Sequence, residues 1–139
     1  MSKNLHYLNL QLADRLVVPK SNARWVQHHA IYLGIDENGI EWIAENMIGH
    51  GVRLVTAADF LMNAIEVTRV ERFSGSKAER RNAVQKAIAL VGTNYDILQF
   101  NCEHYANMIQ HNRKVSRQVK AGLALGVAGL LVAILFNND

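Results

Sequence analysis

Between positions 25 and 33 the side chains read as a strand, with His28, Ala30 and Tyr32 on one face and His29, Ile31 and Leu33 on the other. The turn Asp36-Glu37-Asn38-Gly39 follows, its Asn-Gly pair suited to the positive φ values of a tight hairpin, and 40–45 should return antiparallel to the first strand. Upstream, 8–12 and 15–18 read as an opening extended region closed by Pro19 and a polar Lys20-Ser21-Asn22 turn. Downstream, 52–55 predicts a short strand and the β-branched stretch 65–73 another. Helical signals fall mostly later. Thr56 with Asp59 resembles a capping box that opens a short helix over 57–63, with Asp where Glu or Gln is usual. Ser76 with Glu79 opens a helix over 77–91, whose Val84, Ala87, Ile88 and Val91 form one apolar stripe before Gly92 ends it. Asn101 is suited to cap a helix from 102 to about 115. Strands first and helices afterwards predict an α+β domain, an antiparallel sheet with the helices packed on one side.

The pattern changes after Lys120. From 121 to 136 the chain carries neither charge nor side-chain amide. At about 1.5 Å per residue a helix there covers roughly 24 Å, short of the roughly 30 Å hydrocarbon core. Val119 and a snorkelling Lys120 bring it close to spanning. A buried terminal core helix is the alternative, but a helix apolar all round needs protein on every side. The expectation is therefore a C-terminal hydrophobic helix that anchors the chain in a membrane, with 1–118 as the catalytic domain and 119–139 as the anchor and its short tail. Gly122 and Gly126 stand in GxxxG spacing, which leaves a homodimer through that helix open.

Composition adds limits. At 139 residues the chain is one domain, large enough for a core without staples. It has one cysteine and so no internal disulfide, and its start lacks the apolar stretch of a secretory signal. A reducing location with the catalytic domain facing the cytoplasm is expected. The net charge of +3 is modest, and Arg113, Lys114, Arg117 and Lys120 concentrate the basic excess before the apolar run. Nucleic acid is not an expected partner. No phosphate-cradling glycine loop is present, and His104 with His111 on one helical face finds no further ligand cluster, so neither cofactor nor metal is expected.

That single cysteine, Cys102, falls at the first turn of a predicted helix, where unpaired backbone N–H groups favour a thiolate. A histidine on the distant 25–33 strand can serve it as base. The segment His28-His29-Ala30-Ile31-Tyr32-Leu33-Gly34 resembles the His-x-Ala/Gly-Ile-Tyr-x-Gly block of the lecithin retinol acyltransferase-like proteins, which include the H-Ras-like suppressor phospholipase/acyltransferases. Asn101-Cys102-Glu103-His104-Tyr105 resembles their Asn-Cys-Glu-His-Phe block. Ala13-Asp14-Arg15-Leu16-Val17-Val18 is similar to their opening strand, and the likeness runs from about residue 10 to 112.

The resemblance implies a circularly permuted papain-like fold, with the histidine strand before the cysteine helix. It also implies a thiol acyltransferase or phospholipase A that takes an acyl chain from a glycerophospholipid as a cysteine thioester. By position Cys102 is the nucleophile and His28 the base, while His29 is an ordinary residue of the opposite face. Where the family commonly has a second histidine to orient the first, the 40–46 strand has none; alignment puts Glu45 there, and a carboxylate can hold the imidazole tautomer. Asn46 takes the role if the register slips by one, and His50 if the loop folds back. Glu103 and His104 read as hydrogen-bonding groups of the first turn. Donors to the oxyanion are the Cys102 backbone N–H and, as a side-chain candidate, Tyr32. Two alternatives accompany the lipid enzyme: a papain-like cysteine peptidase or amidase, and a non-catalytic membrane-tethered interaction module.

Overall fold

A computed structural model describes residues 5–20, 23–64, 66–96 and 99–111. After a 3-10 turn at His6–Leu8 come β1 (Arg15–Lys20), β2 (Ala23–Ile35), β3 (Glu41–Met47), β4 (Gly51–Thr56), α1 (Ala57–Asn63), β5 (Arg69–Glu71), α2 (Lys77–Ala89) and α3 (Cys102–His111). The strands form one antiparallel sheet in the order β4-β3-β2-β1-β5, so β2 lies at its centre.

Apolar residues fill both faces of the sheet. On one, Ile31, Leu33, Ala44 and Val52 pack against Val84 and Ile88 of α2 and Tyr105 and Ile109 of α3. On the other, Leu16, Val18, Ala30, Tyr32 and Ile43 pack against Ala57, Phe60 and Leu61 of α1. The alternation along β2 thus separates the two faces as expected, but the helices do not all lie on one side. Helix α1 crosses beneath the sheet because β4 runs directly into it at Thr56, whose side chain caps it by accepting from the Asp59 N–H.

The β2–β3 hairpin turns at Asp36, whose carboxylate accepts from the Asn38 and Ile40 N–H groups, with Gly39 at φ 78. Its ladder pairs Ile35 with Glu41 and Gly34 with Trp42, then jumps to Tyr32 with Ile43, leaving Leu33 as a bulge beside Gly34 at φ 102. That extra residue shifts every later pair, so Ala44 faces Ile31 and Glu45 faces Ala30.

Two opening expectations differ. Residues 8–12 form no strand, because Asn9 and Ala13 take positive φ and turn the chain toward β1. Pro19 lies inside β1, where the register with β2 shifts between Pro19 and Lys20. The strand predicted over 65–73 is confined to Arg69–Glu71. Helix α2 starts in the expected capping box, Ser76 Oγ accepting from the Glu79 N–H and Glu79 from the Ser76 N–H, and stops two residues short of the predicted 91. A buried Asp14 joins three segments: it accepts from Arg72, Arg80 and the Gln11 and Phe73 N–H groups. Its carboxyl stays below the usual range because these bonds outweigh the burial that opposes its charge. The predicted C-terminal hydrophobic helix, the anchor and the end of the 102–115 helix lie outside the described residues. Among the described residues no helix is long and apolar enough to cross a membrane.

Candidate active site

The ladder between β2 and β3 ends at Ala30 and Glu45, although β2 continues back to Ala23. Past that point the two strands no longer bond each other, and the start of α3 meets β2 at Gln27. Asn101 caps α3 through its side chain, which accepts from the Glu103 and His104 N–H groups. The Asn101 N–H in turn donates to His104 Nδ1 at 3.3 Å, a first-turn role for this histidine. Cys102 is the first residue of the helix, buried, with its Sγ 3.9 Å from the Gln27 carbonyl on β2.

The next residue, His28, is 4% exposed. Its Nε2 lies 2.9 Å from Glu45 Oε1, and Arg53 Nε donates to Glu45 Oε2 at 2.9 Å. The register explains both contacts. Glu45 faces Ala30, so it shares the face of His28 and reaches it diagonally, and Arg53 stands directly opposite Glu45 on β4. The three side chains therefore run in a row across β2, β3 and β4.

Burial works against a charge on His28, but the neighbouring Cys102 side chain and the Glu45 carboxylate outweigh it and raise the imidazole pKa. Burial likewise opposes ionised Glu45, yet its bonds to His28 and Arg53 hold it below the usual carboxylate range. His28 Nδ1 makes no hydrogen bond among the described residues. With Nε2–H given to Glu45, the Nδ1 lone pair is the basic position, and the Cys102 side chain is close enough to act on this ring. The Phe60 ring of α1, 6.4 Å between centroids, covers the imidazole from below.

Of the candidates for the third position, the structure brings Glu45 to His28. Asn46 points to the opposite face, where its Nδ2 donates to the Phe100 carbonyl at 2.8 Å and ties β3 to the segment before Cys102. His50 is exposed in the turn between β3 and β4. Tyr32 is displaced from the oxyanion role: its hydroxyl donates to Glu41 at 2.8 Å, about 13 Å along the strand from His28 at about 3.3 Å per residue. Burial and Glu41 raise its pKa beyond the ordinary tyrosine range. His29 is not a plain strand residue. Its Nδ1 accepts from Arg15 Nε at 2.9 Å, and Arg15 Nη1 donates to Asn107 of α3, so a buried cation bolts the cysteine helix to the sheet. Neither Arg15 nor Arg53 carries a local sequence signal: Arg15 acquires its role through the distant Asn107, and Arg53 through the register that sets it opposite Glu45 across the β3–β4 hairpin.

A cleft of about 480 Å³ opens beside the row. His28, Glu45 and Arg53 line one part of it, and Val18, Met47 and Phe60 supply apolar wall.

An imidazole strand that precedes a cysteine helix, with a carboxylate behind the imidazole, is the papain-like arrangement in permuted chain order. The sequence profile of the permuted papain-like amidase enzymes, the YaeF/YiiX, C92 family, matches residues 9–109, and the chain belongs to that family. No curated protein and no solved structure matches it significantly. The resemblance to the lecithin retinol acyltransferase-like proteins is thus supported at the level of the permuted papain-like fold. The family itself is described by amidases, which favours the peptidase or amidase alternative over the lipid acyltransferase.

Proposed function

We propose that the protein is a cysteine hydrolase that cleaves an amide through an acyl thioester on Cys102. The observation that carries this reading is the buried His28–Glu45 pair at 2.9 Å on the strand that Cys102, at the N-terminus of α3, meets at Gln27, the residue before His28. His28 Nδ1 takes the thiol proton, and the thiolate attacks the carbonyl carbon. The oxyanion forms at the start of α3, where the Cys102 backbone N–H and the helix dipole stabilise its negative charge. Collapse breaks the C–N bond, and the imidazolium gives its proton to the departing amine. Water, deprotonated by His28, then attacks the thioester, releasing the acid and restoring the thiol. Glu45 keeps Nε2 protonated throughout and stabilises the imidazolium, as the acid of a triad does.

A second reading is supported by the apolar wall of the cleft and the apolar run 121–136. The same chemistry acting on a glycerophospholipid ester would make a membrane-anchored acyltransferase or phospholipase A. Both readings predict an acyl adduct. Full-length protein in detergent micelles is incubated with dodecanoyl amides and with mixed-chain phosphatidylcholine, and intact mass is followed beside Cys102→Ala. An adduct formed from amides supports the amidase, and one formed only from phosphatidylcholine supports the lipid enzyme. No adduct and no product from either refutes both in favour of a non-catalytic module. Deletion of 119–139 is expected to move the protein from the membrane to the soluble fraction, and persistence on membranes would refute the anchor.

A further inference from the structure

Arg53 is an unusual wall for an apolar cleft. Its Nε is committed to Glu45 Oε2, which fixes the guanidinium plane against the His28–Glu45 pair. Neither terminal nitrogen has a hydrogen-bond partner among the described residues, and the side chain, 33% exposed, lines the cleft. A guanidinium anchored through one nitrogen presents its outer edge as a fork of N–H donors, the geometry that takes a carboxylate or phosphate. Around it the cleft is largely hydrocarbon: Val18, Val55, Phe60 and Ala64 inside, with the exposed Ile48 and Met62 at its edge.

We infer that Arg53 is a specificity-determining residue that selects acyl substrates carrying an anionic oxygen group on an otherwise apolar body. The inference rests on Cys102 and His28 as the reacting pair. His28 bonds Glu45 and Glu45 bonds Arg53, so the row sets Arg53 two side chains beyond the imidazole and the anion several bonds from the scissile carbonyl. A substrate charge placed directly on the carbonyl carbon's neighbour falls short of it.

The test compares alkylation of Cys102 by 6-maleimidohexanoate and by its neutral methyl ester, in full-length protein, as a ratio of second-order rates. The ester reports any change in the thiol itself, so a disturbed His28–Glu45 pair cancels from the ratio. Arg53→Gln should lower the ratio about fivefold, the order expected of one partly exposed charge contact. Prior addition of dodecanoylglycine or of 1-dodecanoylglycerol 3-phosphate separates a carboxylate from a phosphate source. Protection of Cys102 by either, lost in Arg53→Gln, supports the inference and names the source. A ratio unchanged in Arg53→Gln, or equal protection of both proteins, overturns it. A wild-type thiol no faster than an ordinary one would instead defeat the proposed hydrolase, an outcome that the ratio leaves separate.

Discussion

Replacing Glu45 by Gln removes one charge while retaining a side chain that can still accept from His28 Nε2. The perturbation therefore separates charge from orientation. The carboxylate sits 2.9 Å from the imidazole in a site where both side chains are nearly covered, 5% and 3% exposed. A hydrogen bond to a charged partner is worth about 1.5–3 kcal/mol against about 1 for a neutral one. Two charges about 4 Å apart at an effective dielectric of 20 add at most about 4 kcal/mol. Arg53, left without its partner, also disfavours a neighbouring imidazolium. Since these contributions overlap, the cost to the imidazolium is about 2–3 kcal/mol, or roughly 30- to 150-fold in the population of the thiolate–imidazolium pair. The assay is the rate of iodoacetamide alkylation of Cys102 from pH 4 to 10, followed by intact mass. Wild-type protein should react well below the ordinary thiol pKa of about 8.5. The variant should lose about 30- to 150-fold near pH 6 and converge with wild type above about pH 9, where any thiol ionises. Superimposable profiles would refute the reasoning. A uniform drop at every pH would refute it too, since it would mean a misplaced sulfur and not a lost charge.

Stability carries the same signs. Glu45 titrates below its ordinary 4.5, so its contribution is present above that value and lost as pH falls through the folded pKa. His28 titrates above its ordinary 6.5, so its contribution is present below 6.5 and lost as pH rises through the folded value. Urea denaturation should therefore show the largest gap between wild type and Glu45→Gln between pH 4.5 and 6.5. Asp14→Ala should cost about 3–5 kcal/mol by leaving Arg80 half-buried without its carboxylate. Acid should weaken wild type at this site only as pH falls below 3.8, the ordinary value from which Asp14 is lowered. Gly34→Ala puts a Cβ at φ 102 and 2.6 Å from Leu12 Cδ2, and should cost about 1–2 kcal/mol in the same assay. If the bulge is lost with it, low-pH alkylation of Cys102 falls as well.

The row His28–Glu45–Arg53 depends on that bulge. Without Leu33 as an extra residue, Glu45 would stand opposite Ile31 and project to the face of His29, away from the imidazole it now holds. The Leu33 bulge thus sets which carboxylate serves which histidine. On the other face, Arg15, His29 and Asn107 hold α3 against β1 and β2, so the cysteine helix is anchored independently of the carboxylate row.

The sequence by itself determined what is settled within a few residues. The two faces of 25–33 were legible because side chains alternate along a strand, and the Asp36–Gly39 turn because Asn-Gly tolerates the required φ. The starts of α1, α2 and α3 were legible because Thr56, Ser76 and Asn101 cap the N–H groups just ahead of them. Cys102 stood out as a thiol at a helix start, whereas His28 was preferred to its strand neighbour His29 only by its alignment with the resembled family's motif. Tertiary structure decided the contacts whose partners are distant in sequence. It placed α1 under the sheet, confined a predicted strand to Arg69–Glu71, and chose Glu45 over Asn46 and His50. It also recruited Arg53 and Arg15, since ladder register and long-range pairing depend on how whole strands and helices settle against one another.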